Sequence, residues 1–300
     1  MMEIKKFGAI DIGSNAIRLL IANVILSDNK QPQFRKSSLV RVPIRLGADA
    51  FVREGKISED NIQRMIDAIE AFKLLMKVHK VERYKACATS AMREAANGKE
   101  VIDEIFKKTG VEIAMISGEE EAAIISFTDL NELIEGDESY LYVDVGGGST
   151  EFTLFTKGEI VHSKSFKMGT VRLLNNKKAV NKEIFAEVEK WIKKKTKDLK
   201  RISLIGSGGN INKLFKMSGR TEGKPISFIY LNAQYQFLKH MSFDDRISEL
   251  SLNPDRADVI IPATKIYLSA MKWSGARKIY VPKIGLSDGI IKSLFYNKLS

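Results

Sequence analysis

The segment Asp144-Val-Gly-Gly-Gly-Ser-Thr-Glu151 gathers the residue types that handle phosphate and a divalent cation. Three consecutive glycines, Gly146, Gly147 and Gly148, let the backbone take positive φ and approach a ligand closely, with N–H groups aimed at a bound anion. Ser149 and Thr150 add hydroxyl donors, and Asp144 with Glu151 can hold Mg²⁺ directly or through water. A hairpin turn alone needs one or two glycines, so the run exceeds what a turn requires.

Asp11-Ile-Gly13-Ser14-Asn15 is a weaker version of the same device. Its weight comes from pairing: two such turns facing each other would clamp a phosphate–metal unit, with Asp11 and Asp144 both near the metal. Arg18, just past the first turn, is open between a phosphate ligand and an ordinary strand residue. Ile205-Gly206-Ser207-Gly208-Gly209-Asn210 is a third glycine cluster, set before a helix whose N-terminus favours anions. It matches neither a Walker A loop nor the dinucleotide fingerprint, and a tight strand–helix turn is the competing explanation. Thr89, Ser90 and Arg93 put two hydroxyls and a fork-shaped guanidinium at another strand–helix junction. Cys87 beside them reads as a small core residue. In Ser117-Gly-Glu119-Glu120-Glu121, successive helical residues are spread by about 100°, so at most one or two glutamates face a ligand. No suitably placed histidine offers an alternative base for an attacking water.

These residues need rigid elements to position them. Phe7–Val24 reads as strand, polar turn and strand, and Tyr140–Phe155 repeats that order about one domain later, which points to a structural duplication. Between them, Ser58–Val78 has helical spacing, with Ile62, Met65, Ile66, Ile69, Phe72 and Leu75 on one stripe. Tyr84–Ala88 and Val111–Ile116 read as strands, Thr89–Ala96, Lys99–Thr109 and Gly118–Leu130 as helices. Later come helices at Lys182–Leu199, Asn210–Met217, Asp255–Trp273 and Leu286–Leu299, with a strand at Ile202–Ile205. Strands alternating with helices predict an α/β fold with mixed sheets. The expected domains are 1–127, completed by the C-terminal helix 286–300, and 128–285.

With 300 residues, 44% hydrophobic and 28% charged, the chain has the composition of a soluble globular protein of two domains. No apolar run is long enough to span a bilayer, and no signal-peptide h-region follows Met1, so a cytoplasmic protein is expected. One cysteine excludes an intramolecular disulfide and a cysteine-based zinc site. The net charge of +11 is uneven: residues 1–125 carry 20 Lys/Arg against 18 Asp/Glu, and 126–300 carry 28 against 19. Most of the excess lies in 157–201, with 14 basic and 5 acidic residues. That distribution suits a polyanionic partner or a solvated helix face. No aromatic-interleaved stripe or recognition motif supports nucleic acid.

Taken in order, Asp11-x-Gly-Ser-Asn-x-x-Arg18, Ala-Thr-Ser-Ala-x-Arg93, Ile-Ser-Gly-x-Glu120-Glu121-Ala, Asp144-x-Gly-Gly-Gly-Ser-Thr-Glu151, Gly206-Ser-Gly-Gly209 and Leu286-Ser-Asp-Gly289 resemble the exopolyphosphatase/guanosine pentaphosphate phosphohydrolase (Ppx/GppA) family. The resemblance implies an actin-like, sugar-kinase-like ATPase fold with two duplicated domains around a cleft. It implies metal-assisted hydrolysis of phosphoanhydride bonds, with Mg²⁺ or another divalent cation as cofactor. By motif match, Glu121 would activate water, Asp144 and Glu151 would hold metal and water, and Ser14, Asn15, Arg93 and Gly146–Ser149 would bind phosphates. The chain departs from the pattern at Ala16 and Asn210, and it stops before the HD-type helical extension of larger members.

The expected substrate is inorganic polyphosphate, with guanosine pentaphosphate as the alternative. A sugar or acetate kinase and a non-catalytic actin-like nucleotide-binding protein are the competing classes. Neither a membrane nor nucleic acid is an expected partner, and a homodimer is the assembly to look for.

Overall fold

The computed structural model describes residues 2–28, 30–52, 55–128 and 138–298. The chain divides into two units, Met1–Thr128 with Gly285–Ser300, and Asp129–Ile284. Residues 129–137, which follow the expected boundary between 127 and 128 and include the expected helix end at Leu130, lie outside the described residues.

In the first unit, β1 (Met2–Ile12), β2 (Ile17–Ser27), β3 (Gln33–Val42), β4 (Arg83–Ala88) and β5 (Ile113–Met115) form one sheet in the order β3-β2-β1-β4-β5. The first three strands are an antiparallel meander, and β4 and β5 run parallel to β1. The second unit has β6 (Ser139–Val145), β7 (Thr150–Thr156), β8 (Glu159–Phe166), β9 (Ile202–Ser207), β10 (Ile226–Ser227) and β11 (Lys278–Tyr280). Its order is β10-β11-β9-β6-β7-β8, again an antiparallel meander followed by two parallel strands, with β10 added at the edge. Strand for strand, β8-β7-β6-β9-β11 repeats β3-β2-β1-β4-β5. This duplicated mixed sheet is the repeat expected of an actin-like fold.

Each sheet has its own core. In the first unit, helix Glu59–Val78 starts at Ser58 and buries Ile62, Met65, Ile66, Ile69, Phe72 and Met76. The helical stripe thus ends on Met76; Leu75 is only partly buried. Helix Leu286–Phe295 packs on β1 and on helix Gly118–Ser126. Gly289 allows that approach, since a Cβ there would lie 2.3 Å from the Ile124 carbonyl oxygen. In the second unit, helices Lys178–Thr196 and Ile260–Ser274 cover a cluster around Leu141, Val143, Phe152, Leu204 and Tyr267. No helix among the described residues is long and apolar enough to cross a membrane.

Several elements differ from expectation. The edge strands β3 and β8 carry little hydrophobic alternation: β8 is exposed from Glu159 to Lys164, and β3 packs Val40 and Val42 on the core but bears Arg35, Lys36 and Arg41. Charged, exposed edges resist intermolecular pairing, and the same charges hide them from a periodicity search. Helix Phe228–His240 begins with the aromatic and β-branched residues Phe228, Ile229 and Tyr230, a strand-like composition. Ser227 caps it, accepting the Tyr230 N–H at 3.1 Å. The single helix expected at Asp255–Trp273 is two, Pro254–Ala257 and Ile260–Ser274.

Candidate active site

Both meanders make the same turn. The Gly13 N–H donates to the Ala16 carbonyl at 3.2 Å, and Gly146 to Ser149 at 3.0 Å. Asp11 pairs in register with Arg18 across β1–β2, and Asp144 with Glu151 across β6–β7. The loops are equally long, so Arg18 and Glu151 are equivalent positions with opposite charge.

That difference divides the chemistry. In the first unit, Arg18 Nη1 lies 2.9 Å from Asp11 Oδ2, closing an ion pair with a buried carboxylate. Burial raises the Asp11 pKa, and the Arg18 charge and hydrogen bond partly offset that. In the second unit, Asp144 faces a second acid. Glu151 is buried, and its Oε1 accepts hydrogen bonds from Ser149 Oγ at 2.7 Å and Ser165 Oγ at 2.8 Å. Those hydroxyls fix the carboxylate's orientation and support its charge.

The glycine run is latched from behind. Its three carbonyls all accept bonds from one segment: Thr170 N–H donates to Gly146 at 3.0 Å, Val171 N–H to Gly147 at 2.9 Å and Arg172 Nε to Gly148 at 2.9 Å. In a trans peptide the C=O and the following N–H point in opposite directions. The N–H groups of Gly147, Gly148 and Ser149 therefore face away from the latch, although Gly146, Gly147 and Gly148 do not take the positive φ expected of them. Gly169 makes the contact possible, because a Cβ there would lie 2.2 Å from the Gly147 oxygen. The first unit repeats the latch: Arg45 N–H donates to Asn15 at 3.2 Å and Gly47 N–H to Ser14 at 2.7 Å. Arg45 holds a left-handed backbone, φ 59°, at that point.

Most of the remaining expected residues brace the turns and strand ends. Ser14 and Ser90 hydroxyls meet at 2.9 Å, buried. Thr89 donates to the Ile12 carbonyl through its N–H at 3.1 Å and its hydroxyl at 3.3 Å, tying β4 to β1 beside the first turn. Arg93 donates through Nη1 to the Ile116 carbonyl, which joins this junction to the start of helix Gly118–Ser126. Thr150 is fully buried, and its hydroxyl bonds the Met168 carbonyl. Gly206 lies inside β9, where a Cβ would meet Ile279 Cδ1 at 2.8 Å, so packing accounts for it. Gly208 takes φ +112°, with Asp144 Oδ1 3.6 Å from its Cβ position. Gly209 opens helix Gly209–Met217 beneath Arg256, whose Nη2 is 2.9 Å from its Cβ position.

The three glutamates separate clearly. Glu120 forms a capping box with Ser117, accepting its N–H at 2.7 Å and donating its own N–H to Ser117 Oγ at 3.1 Å. The hydrogen bond from the Ser117 N–H, first among its causes, lowers the Glu120 pKa. Glu119 is exposed, whereas Glu121 is half-buried. Asp11 and Glu121 both contribute to the field at Cys87, whose thiol is pushed up to about 12, chiefly by burial.

Sequence reasoning missed Arg172, Arg45 and Arg256. The glycines at 169, 47 and 209 were the available signal, each sitting where a side chain would collide with a neighbouring group.

Among the described residues no group of three His, Cys, Asp or Glu could hold a metal by itself. Asp144 and Glu151 are a two-carboxylate set, and that suits Mg²⁺, which binds one or two carboxylates and leaves its other positions to water and substrate phosphate.

The sequence pattern of the Ppx/GppA phosphatase family matches residues 38–298. A bifunctional 3-dehydroquinate synthase/phosphatase of Fusobacterium nucleatum is 30% identical over 91% of this chain, which spans 44% of that protein's length. Exopolyphosphatase 2 of Mycobacterium tuberculosis is 27% identical, covering 98% of this chain and 99% of its own. The crystal structure of an exopolyphosphatase from Cytophaga hutchinsonii superposes with a TM-score of 0.85 at 24% identity, covering 98% of each chain. The chain belongs to the Ppx/GppA phosphatase family and is an enzyme that hydrolyses phosphoanhydride bonds.

Proposed function

We propose that this protein is an exopolyphosphatase, releasing orthophosphate from the end of inorganic polyphosphate by metal-assisted attack of water. The observation that carries this reading is the Asp144–Glu151 pair beside the outward-facing N–H groups of the glycine turn. Asp144 and Glu151 would hold Mg²⁺, which supplies charge neutralisation on the phosphoryl oxygens when bound. Gly147, Gly148 and Ser149 donate N–H bonds to phosphate oxygens. The first unit contributes Ser14, Asn15, Arg18 and Arg93 to phosphate recognition. Glu121 is the base: with Glu120 held in the capping box and Glu119 exposed, it is the glutamate left to take a proton from the attacking water. Phosphoryl transfer needs little more from a protein than positioning and charge stabilisation.

Phosphate release measured side by side on tripolyphosphate, long-chain polyphosphate and guanosine pentaphosphate with Mg²⁺ tests the reading. Release from polyphosphate, lost in Glu121→Gln, is the expected result. Preference for guanosine pentaphosphate would move the substrate to the nucleotide, and release from none would remove the hydrolase assignment.

A further inference from the structure

The basic excess in 157–201 is not explained by the glycine turns, and strand register shows that much of it lies away from them. Ser139, at the start of β6, pairs with Thr156 at the end of β7 and with Ile202 at the start of β9. Asp144, at the other end of β6, pairs with Glu151 and Ser207. At roughly 3.3 Å per residue, a strand of this length separates the two ends of the sheet by about 20 Å.

Cations from separate elements collect at the far end. Lys157 sits in the β7–β8 turn, with φ 53°. Lys200 and Arg201 lead into β9, and the Arg201 carbonyl accepts the Ser139 N–H at 3.3 Å. Arg277 precedes β11 and Lys278 begins it, and β11 pairs with β9 through Ile279 and Leu204. All five side chains are exposed. Among the described residues the acids at this end are Glu138, Glu159 and Asp198. Asp198 lies 3.8 Å from Lys197 in an ion pair exposed on both sides, which contributes little. The negative end of the helix dipole accounts for Lys193, Lys194 and Lys195 in the last turn of helix Lys178–Thr196. It does not account for Lys157, Arg277 and Lys278, which arrive on other elements.

Resting on the phosphoanhydride reading above, we propose that this end of the second unit's sheet anchors the body of a polyphosphate chain whose terminus reacts at the glycine turn. A chain carrying charge on every unit displaces counterions wherever it meets clustered cations. Tethering through the distant surface raises the effective concentration of the chain end at the turn, provided the chain is long enough to span the gap. Tripolyphosphate is too short, and long chains are not.

The test compares wild type with a triple charge reversal, Lys157→Glu, Arg201→Glu and Arg277→Glu, none of which touches the glycine turn. KM for long-chain polyphosphate should rise about tenfold or more, with a shallower salt dependence. KM and kcat for tripolyphosphate should stay within about twofold, since that substrate does not reach the surface. An unchanged long-chain KM overturns the proposal. An equal rise for both substrates overturns it too, because only a general field effect would remain. Single-stranded RNA that binds wild type as tightly as long-chain polyphosphate and displaces it would reassign the surface to nucleic acid. If wild type cleaves neither polyphosphate, the site reading fails on its own, and equilibrium binding of fluorescently labelled long-chain polyphosphate to the two proteins still decides the surface.

Discussion

Asp144 lies directly opposite Glu151 across β6 and β7, so the two carboxylates share one face of that strand pair. Two acids at adjacent positions repel each other, and the arrangement is stable when a cation lies between them or one charge is strongly hydrogen-bonded. The Ser149 and Ser165 hydroxyls supply the second condition at Glu151. Glu151→Gln keeps an acceptor oxygen for both hydroxyls but removes a charge from the proposed metal pair. The Mg²⁺ concentration for half-maximal activity should rise about tenfold or more, as expected for losing a charge-assisted contact. Thermal stability without metal should hold or improve. A Mg²⁺ requirement that does not move would take Glu151 out of metal binding.

Glu120 and Glu121 are neighbours with separable roles. Glu121→Gln should lower kcat by about 10²–10⁴, the usual worth of a positioned base. Glu120→Gln keeps the capping box, because glutamine serves at that position as glutamate does, so kcat should stay near wild type. Ser117→Ala should cost about 1 kcal/mol of stability through the lost cap. Denaturant titration and steady-state kinetics on the three variants check the pattern. Equal kcat losses at the two glutamates would contradict the division.

Much of the fold was legible because the duplicated turns carry their own markers. Asp11-x-Gly13 and Asp144-x-Gly146 sit at strand ends where polar residues interrupt apolar runs, and such interruptions show in a sequence. The latch segments did not show. Thr170 and Val171 act through backbone N–H groups, which leave no side-chain signature, and only Arg172 adds a side-chain donor. Arg18 was undecided for a similar reason: its partner Asp11 lies across a hairpin, and spacing gives no sign that the pair closes at 2.9 Å. The basic stretch misled in a different way, since composition reports how much charge there is and only register reports at which end of a sheet it lies.

Gly169 provides a direct probe of the latch. A Cβ built on it would fall 2.2 Å from the Gly147 oxygen and 2.3 Å from the carbonyl carbons of Gly147 and Gly148, which are backbone atoms with nowhere to retreat. Gly169→Ala should force the turn outward and turn its N–H groups off line. The expected outcome is a raised KM for polyphosphate and weaker inhibition by inorganic phosphate, with a stability loss of about 1–3 kcal/mol from overpacking. Arg172→Lys should retain part of the activity that Arg172→Ala loses, because an ammonium can still reach the Gly148 carbonyl. Wild-type phosphate affinity in Gly169→Ala would show that the turn does not depend on the latch.

The Asp11–Arg18 pair makes a prediction about pH. Burial raises the folded-state pKa of Asp11 despite the neighbouring guanidinium. A carboxyl with a raised folded pKa binds its proton more tightly in the folded than in the unfolded chain. Its contribution to stability is therefore fully present below the unfolded value, 3.8, and lost as pH rises through the folded value. Asp11→Asn abolishes the titration, so in the variant this position contributes nothing to stability that varies with pH. Asp288, also raised by burial, titrates in both proteins and cancels in the difference. Melting temperatures of wild type and Asp11→Asn, measured upward from about pH 4, near the ordinary carboxylate range, should thus change in favour of the variant as pH rises. A constant difference would mean that the Asp11 pKa is not raised in the folded protein, and that Arg18 fully offsets the burial of the carboxylate.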